Sequence, residues 1–298
     1  MTTLTISPAG PYDFELSLRV TRTFSPAPSQ DYSVFCTAVR IDDKPAVLEF
    51  HQLHRKPPLL EIRTEHQDSA SEIRRIAEWI IFAGLDLHPF YRIASSHPTL
   101  GPIIHQLHGL KPMRPASLFE MLVIAITEQQ ISMAAAYQVR LRIIERYGER
   151  VKGFWTFPTA SKLCNTSIPD LMKCGLSRRK AEYVRGLAER VALGHLDLDQ
   201  FASMPDEEVR SHLLQIRGLG PWSADYFLIR GLSRPDRVPA DDLGIRSVVG
   251  RYLGRGQRLS PQGTMRKLSP FKPYRGLAAF YLLAHARLSK NSPMNPVP

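Results

Sequence analysis

The hydrophobic period of this chain changes once, near residue 70, and that change limits its architecture more than any single motif. From about Tyr12 to Arg63 apolar and polar residues alternate, as in "FELSLRV", "YSVFCTAVRI", "AVLEFHQ" and "LLEIRT", with proline-rich breaks between them. A period of two places successive side chains on opposite faces of a strand, so the region predicts a small antiparallel sheet. From Ser71 the spacing becomes three to four: "SEIRRIAEWIIFAG" carries Ile73, Ile76, Trp79, Ile80 and Phe82 and stops at Gly84. Everything beyond reads as helices with short joints. The expected class is α+β, mostly α-helical, with a small N-terminal antiparallel sheet domain and one helix over 1–84 and a helical body over 85–298.

A chain of 298 residues, 43% of them hydrophobic, can bury a sizeable core. Its 39 Lys and Arg against 28 Asp and Glu leave a formal net charge of +11, which favours polyanionic partners. Charge alone fits DNA, RNA or an anionic membrane. No apolar run approaches the ~20 residues that a membrane span needs. The opening "MTTLTISPAGPYDF" has neither a charged n-region nor an apolar h-region. The chain therefore reads as soluble and intracellular, in the cytoplasm or nucleoid of a bacterium or the nucleus of a eukaryote, with no membrane partner. Cys36, Cys164 and Cys174 lack C-x-x-C spacing, which argues against a disulfide framework and a structural zinc site. The pairs His51/His54 and His105/His108 have no carboxylate or cysteine cluster nearby in sequence, so no metal site is expected.

Within the helical body, "SLFEMLVIAITEQQISMAAAYQVRLRIIERYG" opens on a capping-box spacing, Ser117 and Glu120, and continues through an almost wholly apolar helix. A second helix is expected from about Ile131 to a stop at Gly148. The "TEQQ" between them, Thr127 to Gln130, fits a solvated joint, and it equally fits a rigid polar tip from which a side chain enters DNA. Further on, "PDEEVRSHLLQI" reads as a helix with an acidic start, followed by "GLG", a proline suited to a first helical position, and "WSADYFLIRG". This is a helix, a tight hairpin and a helix over about 206–231. A Gly-x-Gly turn between helices serves as a packing joint, or it lets a phosphate approach bare backbone at a helix N-terminus. The basic charge favours the phosphate. Downstream, "RVPADDLGIRSVVGRYLG" sets Asp241 and Asp242 ahead of an apolar helix face; one acid suffices for an N-cap, and the other is left over.

Together "LLQIRGLGPWSADYFLIRG" and "VPADDLGIRS" resemble the helix-hairpin-helix-Gly-Pro-Asp DNA glycosylases, and more narrowly the 3-methyladenine DNA glycosylase II branch. The resemblance runs from roughly Leu85 to Arg287 and takes in "AITEQQISMAAA", "FPTASKL", "CGLSRRKAEYVRGLA" and "FKPYRGLAAFYLLAHAR" in the family's order. It implies a base-excision repair enzyme, a monomer acting on double-stranded DNA that contains damaged bases. The catalytic aspartate falls on Asp242, which leaves Asp241 as the expected cap. The phosphate-gripping hairpin falls on Gly218, Leu219, Gly220 and Ser223, the base pocket on Trp222, Tyr226 and Tyr274, and the wedge that replaces the flipped nucleotide on Gln130. Leu243, after the catalytic aspartate, is aromatic in some relatives. No cofactor is implied, apart from a monovalent cation that this family's hairpin can hold through carbonyls. Bifunctional relatives carry a lysine two residues after the second hairpin glycine, for attack on the sugar; this chain has Trp222 there. The implied reaction is monofunctional hydrolysis of alkylated purines such as 3-methyladenine and 7-methylguanine. The rival expectations are a glycosylase for deaminated or oxidised bases and a non-catalytic DNA-binding module.

Overall fold

The computed structural model describes residues 1–24, 32–67 and 69–290. The sheet has four antiparallel strands, β1 Thr2–Ile6, β2 Val34–Ile41, β3 Lys44–Arg55 and β4 Pro58–Thr64, in the order β1-β4-β3-β2. Asp42 and Asp43 join β2 to β3 with φ of 47° and 62°, the sign a two-residue hairpin turn requires at both positions. β1 is an addition to the expected sheet, since its five residues precede the alternating region.

One expected strand is a helix. "FELSLRV" belongs to α1, Phe14–Phe24, whose first turn is capped by Asp13 Oδ1 accepting the Leu16 amide at 2.9 Å. Its alternation has another origin. Phe14 and Leu18 face the sheet core, while Leu16 and Val20 face a helical core. Two interleaved i,i+4 pairs, each serving a different neighbour, produce a period of two within a helix. The proline-rich joint that follows lies largely outside the described residues.

α2, Ala70–Ile80, covers the sheet with Ile73, Ile76, Ala77 and Ile80. It ends before the expected Gly84, because Phe82 adopts φ of 54° and breaks the turn. α3 His88–Ala94 and α4 Leu100–Gln106 follow. α5 Leu118–Glu128 is buried on every side; Ser117 accepts the Glu120 amide, and Glu120 reaches back to the Ala116 amide. α6 Met133–Tyr147 starts after Ser132, whose hydroxyl accepts the Ala135 amide. A short hairpin, β5 Arg150–Val151 and β6 Phe154–Trp155, leads to α7 Ala160–Cys164, α8 Ile168–Lys173 and α9 Arg178–Ala192. The last helices are α10 Asp206–Leu214, α11 Pro221–Arg230, α12 Leu243–Leu253, α13 Pro261–Leu268 and α14 Arg275–Lys290.

These elements build three cores. One joins the sheet to α1 and α2, and a second spans Leu118 to Leu228. The third combines Leu85 to Leu110 with Val238 to Ala286, together with Leu16 and Val20 from α1. The chain thus leaves the third core at α5 and returns to it after α11, and a cleft of about 1080 Å³ lies where the second and third cores meet. Among the described residues no helix is long and apolar enough to cross a membrane.

Candidate active site

The hairpin forms as its residues dictate. The Ile216 amide bonds to the Leu213 carbonyl and the Leu219 amide to the Ile216 carbonyl, both at 3.0 Å, closing the turn after α10. Gly218 has φ of 100°, and a Cβ there would lie 2.3 Å from Cγ of Tyr183. It is therefore required twice, by its backbone and by a ring. Gly220 has ordinary extended backbone, and a Cβ on it would meet nothing within 4 Å. That open space flanks the start of α11, whose first intrahelical bond runs from the Ala224 amide to the Gly220 carbonyl. The Trp222 and Ser223 amides precede that bond, as orphan donors at the positive end of the helix. Leu219 packs inward, and Ser223 is only 1% exposed, its hydroxyl taking the Gln129 amide at 2.9 Å. The Ser223 hydroxyl is thus spent internally, and the group that Ser223 offers at the helix start is its backbone amide.

The polar joint between α5 and α6 is tied to this hairpin. Gln129 Nε2 donates to the Gly218 carbonyl at 2.8 Å, and Lys180 Nζ donates to the carbonyls of Thr127 and Gln129 at 2.9 and 2.5 Å. A lysine on the last carbonyls of α5 satisfies groups that a helix end leaves open. Beyond these anchors Gln130 is exposed on the cleft rim with φ of 56°, beside Ile131, which is 42% exposed. The joint is a fixed tip.

Asp242 ends the segment opposite. It is the N-cap of α12: its Oδ1 accepts the Ile245 amide at 2.9 Å, and its Oδ2 accepts the Trp222 indole N–H at 3.0 Å. The expectation that Asp241 supplies the cap is overturned, because Asp241 is exposed and the backbone of Asp242 holds the capping geometry. Capping uses one oxygen and leaves the other aimed at Trp222. Trp222 and Tyr226 stack on each other, with centroids 4.9 Å apart and planes 19° apart. They form one aromatic slab rather than two separated walls.

Tyr274 does not join them. Its ring packs against Phe90 at 6.0 Å in the third core and does not line the cleft. Further apolar lining includes Phe82, Leu277, Phe280 and Leu283. Phe82 is held from behind by Arg114, whose guanidinium lies 3.8 Å from the ring centroid. Leu243, 58% exposed, stands on the rim next to Asp242. Three charged residues complete the lining on the side of α5, α11 and α14: Glu128, Arg230 and Arg287. Burial lowers the pKa of Arg287, and the nearby charges of Tyr226, Asp242 and Glu128 oppose that shift. Sequence reasoning read Glu128 and Gln129 only as part of a polar joint and Lys180 as part of a solvated helix start, and it gave Arg287 no role. A lone arginine in the apolar run "AAFYLLAHAR" was the available signal for Arg287.

The hairpin, the capped aspartate and the stacked pair occupy one segment, and a family model described as HhH-GPD superfamily base excision DNA repair protein matches residues 123–273. The chain belongs to this superfamily. Among similar curated members is the DNA-3-methyladenine glycosylase of Bacillus subtilis, 29% identical over 214 residues, which cover 70% of each chain. The DNA-3-methyladenine glycosylase of Saccharomyces cerevisiae is 32% identical over 175 residues, covering 54% of this chain and 57% of that one. In three dimensions, the 3-methyladenine DNA-glycosylase from Archaeoglobus fulgidus superposes with a TM-score of 0.84 at 23% identity, over 98% of this chain and 100% of that chain. The fold shared with that protein therefore extends through the N-terminal sheet.

Proposed function

We propose that this enzyme, a base excision repair glycosylase for alkylated bases, is monofunctional and releases N-methylated purines from damaged duplex DNA with Asp242 as its catalytic carboxylate. The observation that carries the reading is the double fixation of Asp242, by the α12 N-terminus on one oxygen and by Trp222 on the other, at the edge of a cleft floored by stacked aromatics. A flipped purine carrying an N-methyl group is a cation, and the face of an aromatic ring attracts it by about 0.5–2 kcal/mol. When its N9–C1′ bond breaks, the bonding electrons pass to the ring, and the base leaves neutral without a proton donor. The sugar left behind resembles an oxocarbenium ion, which a fixed carboxylate stabilises until a water oxygen bonds to C1′ and gives up its proton.

No lysine lines the cleft among the described residues, and the position after Pro221 is Trp222, which supports hydrolysis over imine formation. Gln130 on its fixed tip is suited to fill the gap in the duplex, and the hairpin to seat a phosphate on the amides of α11. A monovalent cation fits the hairpin's donor set: the Ile216 and Gly218 carbonyls each accept one hydrogen bond and keep a second lone pair. Such an ion would add positive charge beside the phosphate. The chain is further proposed to act as a monomer. The test is incubation with methylated duplex and measurement of free base: release of 3-methyladenine or 7-methylguanine by the wild type, and none by Asp242→Asn, is the expected result. Faster release of uracil, hypoxanthine or 8-oxoguanine would overturn the choice of substrate.

A further inference from the structure

The cleft holds a carboxylate that this reaction does not use. Glu128 ends α5 and lines the cleft with Trp222 and Tyr226, although its side chain is only 5% exposed. Its Oε1 accepts from Arg140 Nη1 at 2.7 Å, and Arg140 is itself buried. Burial first, then the charge of Glu128 and a hydrogen bond to it, push the pKa of the Tyr226 phenol up. A buried ion pair is a poor source of stability, because apolar residues of the same shape do as well. One that opens on a substrate cleft has a different use.

We propose that Glu128 is a specificity-determining residue that reads the Watson–Crick edge of the flipped purine, accepting the N1–H and the exocyclic N2–H of a guanine-derived lesion. The inference rests on the methylated-purine reading above and deepens it. The Trp222–Tyr226 slab takes the face of the base, so the edge of the base meets what lines the cleft around Tyr226, where Glu128 lies with Arg230, and of these two only Glu128 accepts hydrogen bonds. A carboxylate only accepts, at about four lone-pair sites. Arg140 Nη1 takes one on Oε1 and the Tyr226 hydroxyl lies beside the group, and the face of the carboxylate turned to the cleft is what meets the base. The guanine edge presents two adjacent donors, whereas adenine presents one donor beside the N1 lone pair, which a carboxylate repels. A site built around buried acceptors discriminates strongly against a base that leaves one unmet. Arg140 neutralises Glu128, so the residue contributes direction rather than attraction for a cation. It therefore separates guanine from adenine lesions, not methylated from unmethylated bases.

The test uses matched duplexes carrying 7-methylguanine, 7-methylhypoxanthine or 3-methyladenine, with single-turnover release measured for the wild type and Glu128→Gln. The glutamine keeps an oxygen for Arg140 but turns an NH₂ group toward the base. Glu128→Gln is expected to slow 7-methylguanine at least about tenfold, the scale of one charge-assisted hydrogen bond, and 3-methyladenine no more than about twofold. The hypoxanthine lesion lacks the N2 amino group and puts the same question to the unaltered protein: the wild type should release it more slowly than 7-methylguanine, and the variant should not distinguish the two. Equal slowing of all three bases, no slowing of any, or equal release of the two N7-methylated bases by the wild type would overturn the edge reading alone. Release of no methylated purine by the wild type would overturn the proposed function with it.

Discussion

Trp222 donates its indole N–H to the same carboxylate that caps α12, so the aromatic slab and Asp242 are a single rigid unit. Asn caps a helix about as well as Asp. Asp242→Asn should therefore melt within a few degrees of the wild type, while single-turnover release of methylated purine falls by at least about a hundredfold, the scale of removing one preorganised electrostatic group. Asp241→Asn should leave the rate within about twofold, since that exposed carboxylate makes no cap. Equal losses in the two variants would remove the distinction.

Trp222→Phe keeps a ring for stacking and deletes the donor. Its rate should fall by roughly tenfold, the worth of one hydrogen bond to a charged acceptor, and binding of an abasic duplex should be unchanged. A drop in abasic binding that matches the drop in rate would place the Trp222 contribution in DNA contact instead.

The two hairpin glycines should separate stability from binding. Gly218→Ala forces a Cβ into Tyr183 at φ of 100° and should cost stability, by about 1–3 kcal/mol in chemical denaturation. Gly220→Ala meets open space and should fold normally, yet weaken binding to undamaged duplex, because the new methyl occupies the approach to the α11 amides. Wild-type binding should also fall steeply with salt as phosphate counterions are released. A Gly220→Ala protein with full affinity would exclude phosphate contact at that backbone.

Borohydride added during turnover should trap no protein–DNA adduct, since no described lysine lines the cleft. An adduct that disappears on replacing one lysine would demonstrate lyase chemistry.

Lys111, which does not itself line the cleft, provides a separate pH signature. It is fully buried, with Nζ donating to the Ala9 carbonyl at 2.7 Å, and desolvation brings its pKa down to about 7 from 10.5, opposed by the charge of Asp86. Between pH 7 and 10.5 the unfolded chain holds a proton at this site that the folded protein has released. Stability from this group therefore rises with pH across that window, by up to roughly 1.4 kcal/mol per pH unit, and the penalty is complete below it. Lys111→Met should remove the slope. Denaturation at pH 7 and pH 9.5 for both proteins measures it, and parallel pH profiles would disprove it.

The hairpin was legible because its chemistry is local: two glycines, a proline and an acidic helix start act within a few residues of one another. The helical nature of α1 was hidden, since Phe14 and Leu18 serve one core and Leu16 and Val20 another, and no window of sequence reports that a helix has two apolar neighbours. β1 was missed because it acquires meaning only through its pairing with β4. α14 is apolar almost all round, so nothing in its pattern says that Phe280 and Leu283 face the cleft while Tyr274, just before it, faces Phe90. Glu128 looked like part of a polar joint; its partner Arg140 lies on the next helix, and only packing brings the pair into the cleft wall.

Leu16 and Val20 share a core with Tyr281 and Leu282, which binds the beginning of the chain to its end. Phe280 and Leu283 stand on α14, so the cleft that holds Asp242 and the Trp222–Tyr226 slab gains its far wall only from the last helix described. A chain cut short before α14 would keep the hairpin and the capped aspartate and lose that wall, together with the Tyr281 and Leu282 side of the third core.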